Sequence, residues 1–291
     1  MKRIAFLGPE GTVSEESARY FFAGQSHELI PYNLISDVFM ATACGETDFS
    51  VIPIENTIEG SVNLHMDMLV HEVDLPIRAE WVYPSKQNLI GYKDGDKPVA
   101  FAEIKKVLSH PVAVAQCRKF LREKLPHAQV EHVNSTAEGV RLVKKHPGEG
   151  LAALGTKLAA ERYGLDILAA DVQDHKNNFT KFILIGHDTI ELAKKSNVVK
   201  TSILVTLPED YPGALHQVLS AFAWRKINLT RLESRPTKKK LGSYYFYIDI
   251  EASMDSVLLP AAIAEIEATG CQVRVLGGYP RYSYATAKSE V

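Results

Sequence analysis

Through the first two-thirds of the chain, short unbroken apolar runs alternate with stretches whose apolar residues recur every three or four positions. These are the signatures of buried strands and amphipathic helices. Residues 4–7 predict a strand, Gly8-Pro9-Glu10-Gly11 a turn, and Thr12 the start of a helix, because Thr12-Val13-Ser14-Glu15 has capping-box order. Further strands are predicted over 49–54, 107–109, 129–133, 151–154 and 183–186. Helices are predicted over 62–70, from Pro111 to about residue 125, from a second capping box (Ser135-Thr136-Ala137-Glu138) to about Lys145, and over 156–163. Strands alternating with helices imply parallel-rich α/β sheets covered on both faces, with ligands gathered at strand ends.

Between 191 and 200 the sequence turns polar, and Ala193-Lys194-Lys195-Ser196-Asn197 predicts a linker with a boundary near Ser196. The order of elements then changes. Strands at 201–207, 227–233, 244–251 and 272–276, with helices at 213–225 and 257–269, make a βαββαβ series, the ferredoxin-like pattern. Length agrees, since 291 residues at about 150 per domain predict about two domains.

Composition removes several function classes. Lys plus Arg is 33 against 35 Asp plus Glu, a net charge of −2, so the basic surplus that phosphate binding leaves is missing and nucleic acid is not expected as a partner. No run approaches the roughly 18 apolar residues that span a bilayer, and only four apolar residues follow Met1-Lys2-Arg3, too few for a secretory signal. Cys44, Cys117 and Cys271 are odd in number and far apart, which fits a reducing cytoplasm. The ten histidines form no HExxH and meet no CxxC, so no metal site is expected.

Four polar segments sit where strands end. Gly8-Pro9-Glu10-Gly11-Thr12 offers helix N–H groups and the Thr12 and Ser14 hydroxyls to an anion, or is simply a capped turn. Pro53-Ile54-Glu55-Asn56-Thr57-Ile58-Glu59-Gly60-Ser61 concentrates carboxylate, amide and hydroxyl groups, with Asn56 the best candidate for chemistry. Ser109-His110-Pro111 with Gln116-Cys117 suggests a nucleophile and base. No orienting acid is identifiable, and Cys117 has the apolar neighbours of a core residue. Asp174-His175-Lys176-Asn177-Asn178-Phe179-Thr180-Lys181-Phe182 is either a solvated loop or a grip for a carboxylate-rich molecule.

Together, Val51-Ile52-Pro53-Ile54-Glu55-Asn56-Thr57, Ser109-His110-Pro111, Gln116-Cys117 and Asn178-Phe179-Thr180-Lys181-Phe182 resemble the prephenate dehydratase family. Gly213-Ala214-Leu215 and Glu233-Ser234-Arg235-Pro236 resemble the two phenylalanine-binding motifs of its ACT regulatory domain. The resemblance implies a cofactor-free lyase that converts prephenate to phenylpyruvate, water and carbon dioxide. It also implies a catalytic region over 1–190 with a two-lobed, periplasmic-binding-protein-like fold, and an ACT domain over 200–280. One lobe would comprise 1–79 with 170–190, the other 80–169. Thr180 takes the place of the family's essential threonine, and Asn56 and Gln116 that of its substrate contacts. The same likeness assigns Thr12, Ser135, Asn178, Lys181 and Phe182 to substrate. It assigns Gly213, Ala214, Leu215, Asn228, Glu233, Ser234, Arg235 and Pro236 to L-phenylalanine. It implies a homodimer or homotetramer. A first strand beginning by Ile4 implies a monofunctional chain. Lys181 departs from the family's arginine, which puts a two-point carboxylate clamp there in doubt.

For the reaction, Thr180 is the expected hydrogen-bond donor to the departing oxygen, with His175 and Glu55 as candidate proton sources. Two alternatives remain at this level: an arogenate-preferring dehydratase, and an amino-acid-sensing binding protein without chemistry.

Overall fold

The computed structural model describes residues 1–93, 100–192, 196, 198–209, 211–238 and 244–284. Apart from Ser196, the expected linker at 193–197 lies outside the described residues. Two compact units form: of the described residues, those in 1–74 and 82–182 with Tyr284 make the first, and those in 75–81 and 183–283 the second.

In the first unit, β1 (Lys2–Leu7) lies parallel to β2 (His27–Tyr32) and to β3 (Phe49–Asn56). Consecutive residues Ile4-Ala5 and Val51-Ile52 are fully buried because helices α1 (Val13–Phe21), α2 (Ile35–Ala43) and α3 (Asn63–His71) pack against this sheet. The two-residue β4 (Gly60–Ser61) folds back on β3, setting Asn56 opposite Gly60. The chain enters β5 (Ile77–Pro84), whose residues from Val82 onward belong to this unit, and continues into a second sheet.

That sheet has the order β10-β6-β9-β7-β8, from β6 (Asn88–Gly91), β7 (Lys106–Ser109), β8 (Gln129–His132), β9 (Leu151–Gly155) and β10 (Asp166–Ala169). Side chains alternate between its faces. Leu89, Val107 and Leu154 pack under α4 (Pro111–Gln116) and α5 (Arg118–Lys124) through Cys117, Leu121 and Leu125. Ile90, Leu108 and Ala153 pack under α6 (Thr136–Lys145) and α7 (Lys157–Tyr163) through Val140, Val143, Ala159 and Ala160.

The single helix expected from Pro111 to residue 125 is broken at Cys117. A distant segment takes over the helical bonding there: the Asp174 N–H donates to the Gln116 carbonyl (2.7 Å), and the Asp174 carboxylate accepts from the Lys119 N–H at 3.0 Å. The capping box at Ser135 forms on the hydroxyl side, with Ser135 Oγ accepting from the Glu138 N–H at 3.0 Å. The one at Thr12 does not form. Its hydroxyl donates to the Leu7 carbonyl, and Glu15 instead accepts from the Gly11 N–H at 2.6 Å.

Glu15 ties α1 to α7, because its buried carboxylate also accepts from Arg162 and Arg19. Burial alone would raise its pKa, but the bonds from Arg162, Gly11 and Arg19 outweigh that and hold it below the usual range. Gly11 has φ +92°, and a Cβ there would sit 3.0 Å from the Ala159 backbone, so only glycine lets α1 and α7 come this close.

The second unit has the expected βαββαβ order: β12 (Val199–Thr206), α8 (Ala214–Ala223), β13 (Leu229–Pro236), β14 (Tyr244–Ile250), α9 (Leu258–Ala268) and β15 (Gln272–Tyr282). β14 lies between β13 and β12, and β12 between β14 and β15, all antiparallel. Ile203, Val205, Ile248 and Ile250 face α8 and α9. The first half of β5 joins the far side of β15 in parallel, and its buried Glu80 pairs with buried Lys200 at 3.1 Å. The last strand of the first two-thirds, predicted at 183–186, overlaps the C-terminal end of β11 (Phe179–Ile185), which begins four residues earlier.

Candidate active site

A cavity of about 720 Å³ opens in the first unit, where the N-terminal ends of α1, α3 and α6 and the His110 cap of α4 converge. Helix N-termini present unsatisfied N–H groups and the positive end of the dipole, so the cavity favours an anion. None of its described lining residues is a lysine or arginine. Its polar groups are neutral apart from Glu59, the one carboxylate among the described lining residues.

The cavity's far wall is a directed chain of side-chain amides. Asn56 Oδ1 accepts from the Ile58 and Glu59 N–H groups (2.9 and 3.2 Å), which fixes the orientation of its amide. Its Nδ2 therefore donates, reaching Asn178 Oδ1 (2.8 Å), the Phe179 carbonyl (3.1 Å) and Thr180 Oγ1 (3.0 Å). Asn178 Nδ2 in turn donates to Gln116 Oε1 at 2.8 Å, so the Gln116 NH₂ is left to donate into the cavity that Gln116 lines. Backbone donors at residues 58 and 59 thus set, through the Asn56 and Asn178 amides, the polarity of Gln116, which is 62 positions from Asn178 in sequence.

Asn56, Gln116, Ser135, Thr12 and Thr180 all line the cavity. Ser135 spends a lone pair on its helix cap and keeps its proton for a ligand, whereas Thr12 spends its proton on Leu7. Asn178 is 2% exposed and stands behind the wall, orienting Asn56 and Gln116.

Lys181 and Phe182, both expected at the substrate, are not brought to the cavity. β11 alternates, so Lys181 points away from the side taken by Thr180, and Phe182 is fully buried in the core. Lys181 Nζ instead contacts Glu55 Oε2 at 2.5 Å, next to Asn56 on β3 and Thr180 on β11. Lys181→Arg should keep this tie and full activity. Lys181→Met should lower Tm by about 2–4 °C, from the loss of about 1 kcal/mol, and lower kcat/KM severalfold. Equal kinetics and melting for Met and Arg variants would show that the pair does not hold the two strands.

Of the two readings of Cys117, nucleophile or core residue, the structure supports the core residue. Cys117 is 0% exposed and burial pushes its thiol up to about 12, so it is an inert core residue. His110 Nδ1 accepts from the Val112 N–H at 3.3 Å, and burial, with repulsion from His132, lowers its pKa. The imidazole at the cavity is therefore neutral around pH 7, with its proton on Nε2. Glu55 and His175, the expected proton sources, do not line the cavity.

Ser85 and Gln87 are among the lining residues that escaped the sequence reading. Ser85 Oγ lies 2.6 Å from Thr180 Oγ1, and Gln87, 6% exposed, holds a buried Oε1 with no partner. Both follow β5, a strand the apolar pattern did not reveal. A polar Ser85-Lys86-Gln87-Asn88 run placed before the apolar pair Leu89-Ile90 was the signal available.

In the second unit, Gly213, at φ +95°, caps α8. The register pairs Thr206 and Arg235 each with Tyr245, so the α8 start that follows β12 and the Glu233–Pro236 end of β13 share one end of the sheet. Asn228 precedes β13 at the opposite end, where its Nδ2 donates to Glu251 (2.6 Å). At about 3.3 Å per residue the strand carries the Glu233–Pro236 segment roughly 17 to 26 Å from Asn228, so within one chain Asn228 does not join that group.

The prephenate dehydratase family model matches residues 4–190 and the ACT domain model residues 201–268. The prephenate dehydratase of Bacillus subtilis is 41% identical over 285 residues, covering 96% of this chain and 99% of that one. A prephenate dehydratase structure from Arthrobacter aurescens in complex with L-Phe superposes with TM-score 0.84 at 32% identity, covering 99% and 92%. The quorum-quenching acylase GqqA superposes with TM-score 0.83 at 26% identity, covering 96% and 98%. With a family model spanning most of the chain and relatives matching nearly all of it, the chain belongs to the prephenate dehydratase family.

Proposed function

We infer that this chain converts prephenate to phenylpyruvate in the cavity of the first unit, with the Thr180 hydroxyl at that cavity, its oxygen accepting from the Asn56 amide, as the observation that carries the reading. Prephenate is a dianion. The C–C bond to its ring carboxylate breaks, and that electron pair enters the ring. The C–O bond to the ring hydroxyl then breaks toward oxygen. The products are carbon dioxide, hydroxide and the phenylpyruvate monoanion, so atoms and charge balance. Aromatisation drives the reaction, and the protein's task is to hold two carboxylates and meet the charge growing on the departing oxygen. Helix N-termini and the Gln116 NH₂ are suited to the first task. Thr180, whose oxygen accepts from Asn56, is suited to the second.

GqqA's amide-cleaving activity finds less support. Cleaving an amide needs an activated nucleophile, yet among the described residues no imidazole or carboxylate bonds to the Ser85 or Thr180 hydroxyl. Offering prephenate and arogenate together and measuring phenylpyruvate and phenylalanine separates the dehydratase readings. We expect phenylpyruvate to dominate, and neither product above the spontaneous rate would refute the lyase assignment.

We further propose that 1–190 is the catalytic region and 200–280 the regulatory one, that the protein is cytoplasmic, and that L-phenylalanine inhibits it. Effector would bind at the Gly213–Leu215 helix start and the Glu233–Pro236 strand end, in a dimer or tetramer that brings Asn228 of a second copy to it. Among the described residues no helix is long and apolar enough to cross a membrane and no group of side chains fits a metal ion. A Cβ at Gly213 meets nothing within 4 Å, so the strain of its φ, about 1–2 kcal/mol for an L residue, is what a substitution there introduces. Gly213→Val should raise the L-phenylalanine concentration for half-inhibition more than tenfold. An unchanged inhibition curve would place the effector elsewhere.

A further inference from the structure

We propose that Ser85 is a positioning residue that aims the Thr180 proton at the departing oxygen, a role that rests on the dehydratase reading above. The argument is an inventory of protons. A hydroxyl carries one proton and two lone pairs. Because backbone donors lock the Asn56 amide, its contact with Thr180 Oγ1 at 3.0 Å is an N–H donated to the threonine, filling one lone pair.

A single proton lies in the 2.6 Å contact between Ser85 Oγ and Thr180 Oγ1. If Thr180 supplied it, no proton would remain for substrate. If Ser85 supplies it, both Thr180 lone pairs are filled, and the threonine proton is turned away from Asn56 and Ser85 into the cavity. A departing oxygen that accepts from Thr180 selects the second arrangement. Two donated bonds also polarise the Thr180 O–H, so its own bond strengthens as negative charge builds on the leaving group.

Ser85 is built for this. It is 5% exposed, its N–H donates to the Asn178 carbonyl at 2.8 Å, and Thr180 is its side chain's one hydrogen-bond partner among the described residues. The same backbone segment that holds the amide chain therefore holds the serine. No proton need leave Ser85 during turnover. It donates a hydrogen bond throughout.

A double-mutant cycle on the full-length protein tests the assignment, with kcat and KM for prephenate measured for wild type, Ser85→Ala, Thr180→Val and the double variant. Ser85→Ala should lower kcat about tenfold with KM within twofold, and Ser85→Thr should restore kcat to within threefold of wild type. On the Thr180→Val background, Ser85→Ala should cost less than twofold. Equal losses on both backgrounds, an effect confined to KM, or no rescue by threonine would overturn the role of Ser85 while wild-type turnover still upheld the lyase reading. A wild type without turnover would overturn both.

Discussion

Thr180→Val is expected to lower kcat for prephenate by more than tenfold, a loss above ~1.4 kcal/mol of transition-state stabilisation, while KM changes little. Valine matches threonine in shape, so the fold at this 7% exposed position should persist. What disappears is the oxygen that collects the Asn56 N–H and faces Ser85, and with it the donor to the leaving group. The split matters more than the size. A variant with normal kcat and weak binding would show that the hydroxyl holds the ground state only. Melting curves should show only a modest decrease, as the stranded Asn56 N–H still reaches Asn178 and the Phe179 carbonyl.

Asn56→Asp is expected to be at least as damaging, with kcat/KM down by about a hundredfold or more. The change is isosteric, but it exchanges a donor for an acceptor. Carboxylate oxygens would then face Asn178 Oδ1, the Phe179 carbonyl and Thr180 Oγ1, at contacts now 2.8, 3.1 and 3.0 Å. An unmatched buried polar contact costs about 1–3 kcal/mol, more when charged, so both melting temperature and turnover should fall. Because the amides are directional, Asn178 would be free to invert, and Gln116 would then be pressed to turn its oxygen, not its NH₂, toward a dianion. Full activity in this variant would mean that the amide chain does not orient the site.

Much of the second unit was legible because its strands alternate cleanly: Ile203 and Val205, or Ile248 and Ile250, face helices while the residues between them do not. β5 was illegible for a physical reason. Ile77–Pro84 carries Arg78 and Glu80 in a position pattern that should be apolar, and Glu80 tolerates full burial because Lys200, 120 residues away, and Arg281 pair with it. Losing β5 also hid Ser85 and Gln87. β2 was missed because His27–Tyr32 has little buried surface and contains Pro31.

At the site, the polar run 174–182 was correctly singled out as unusual, but its residues do three different things. Thr180 faces the cavity, Asn178 orients neighbours from behind it, and Lys181 ties two strands together. Only the strand's two-residue alternation and the partners across the fold distribute those roles, and neither is local in sequence. The break at Cys117 is of the same kind, since Asp174 supplies it from a distant segment.

The most direct measurement is the rate of phenylpyruvate formation from prephenate by purified full-length protein, read in alkali beside equal amounts of the Thr180→Val variant and a protein-free control. Wild type should exceed the spontaneous rate by orders of magnitude and the variant by more than tenfold. Wild-type protein no faster than the control, or a variant as fast as wild type, would contradict the account of this cavity and its threonine.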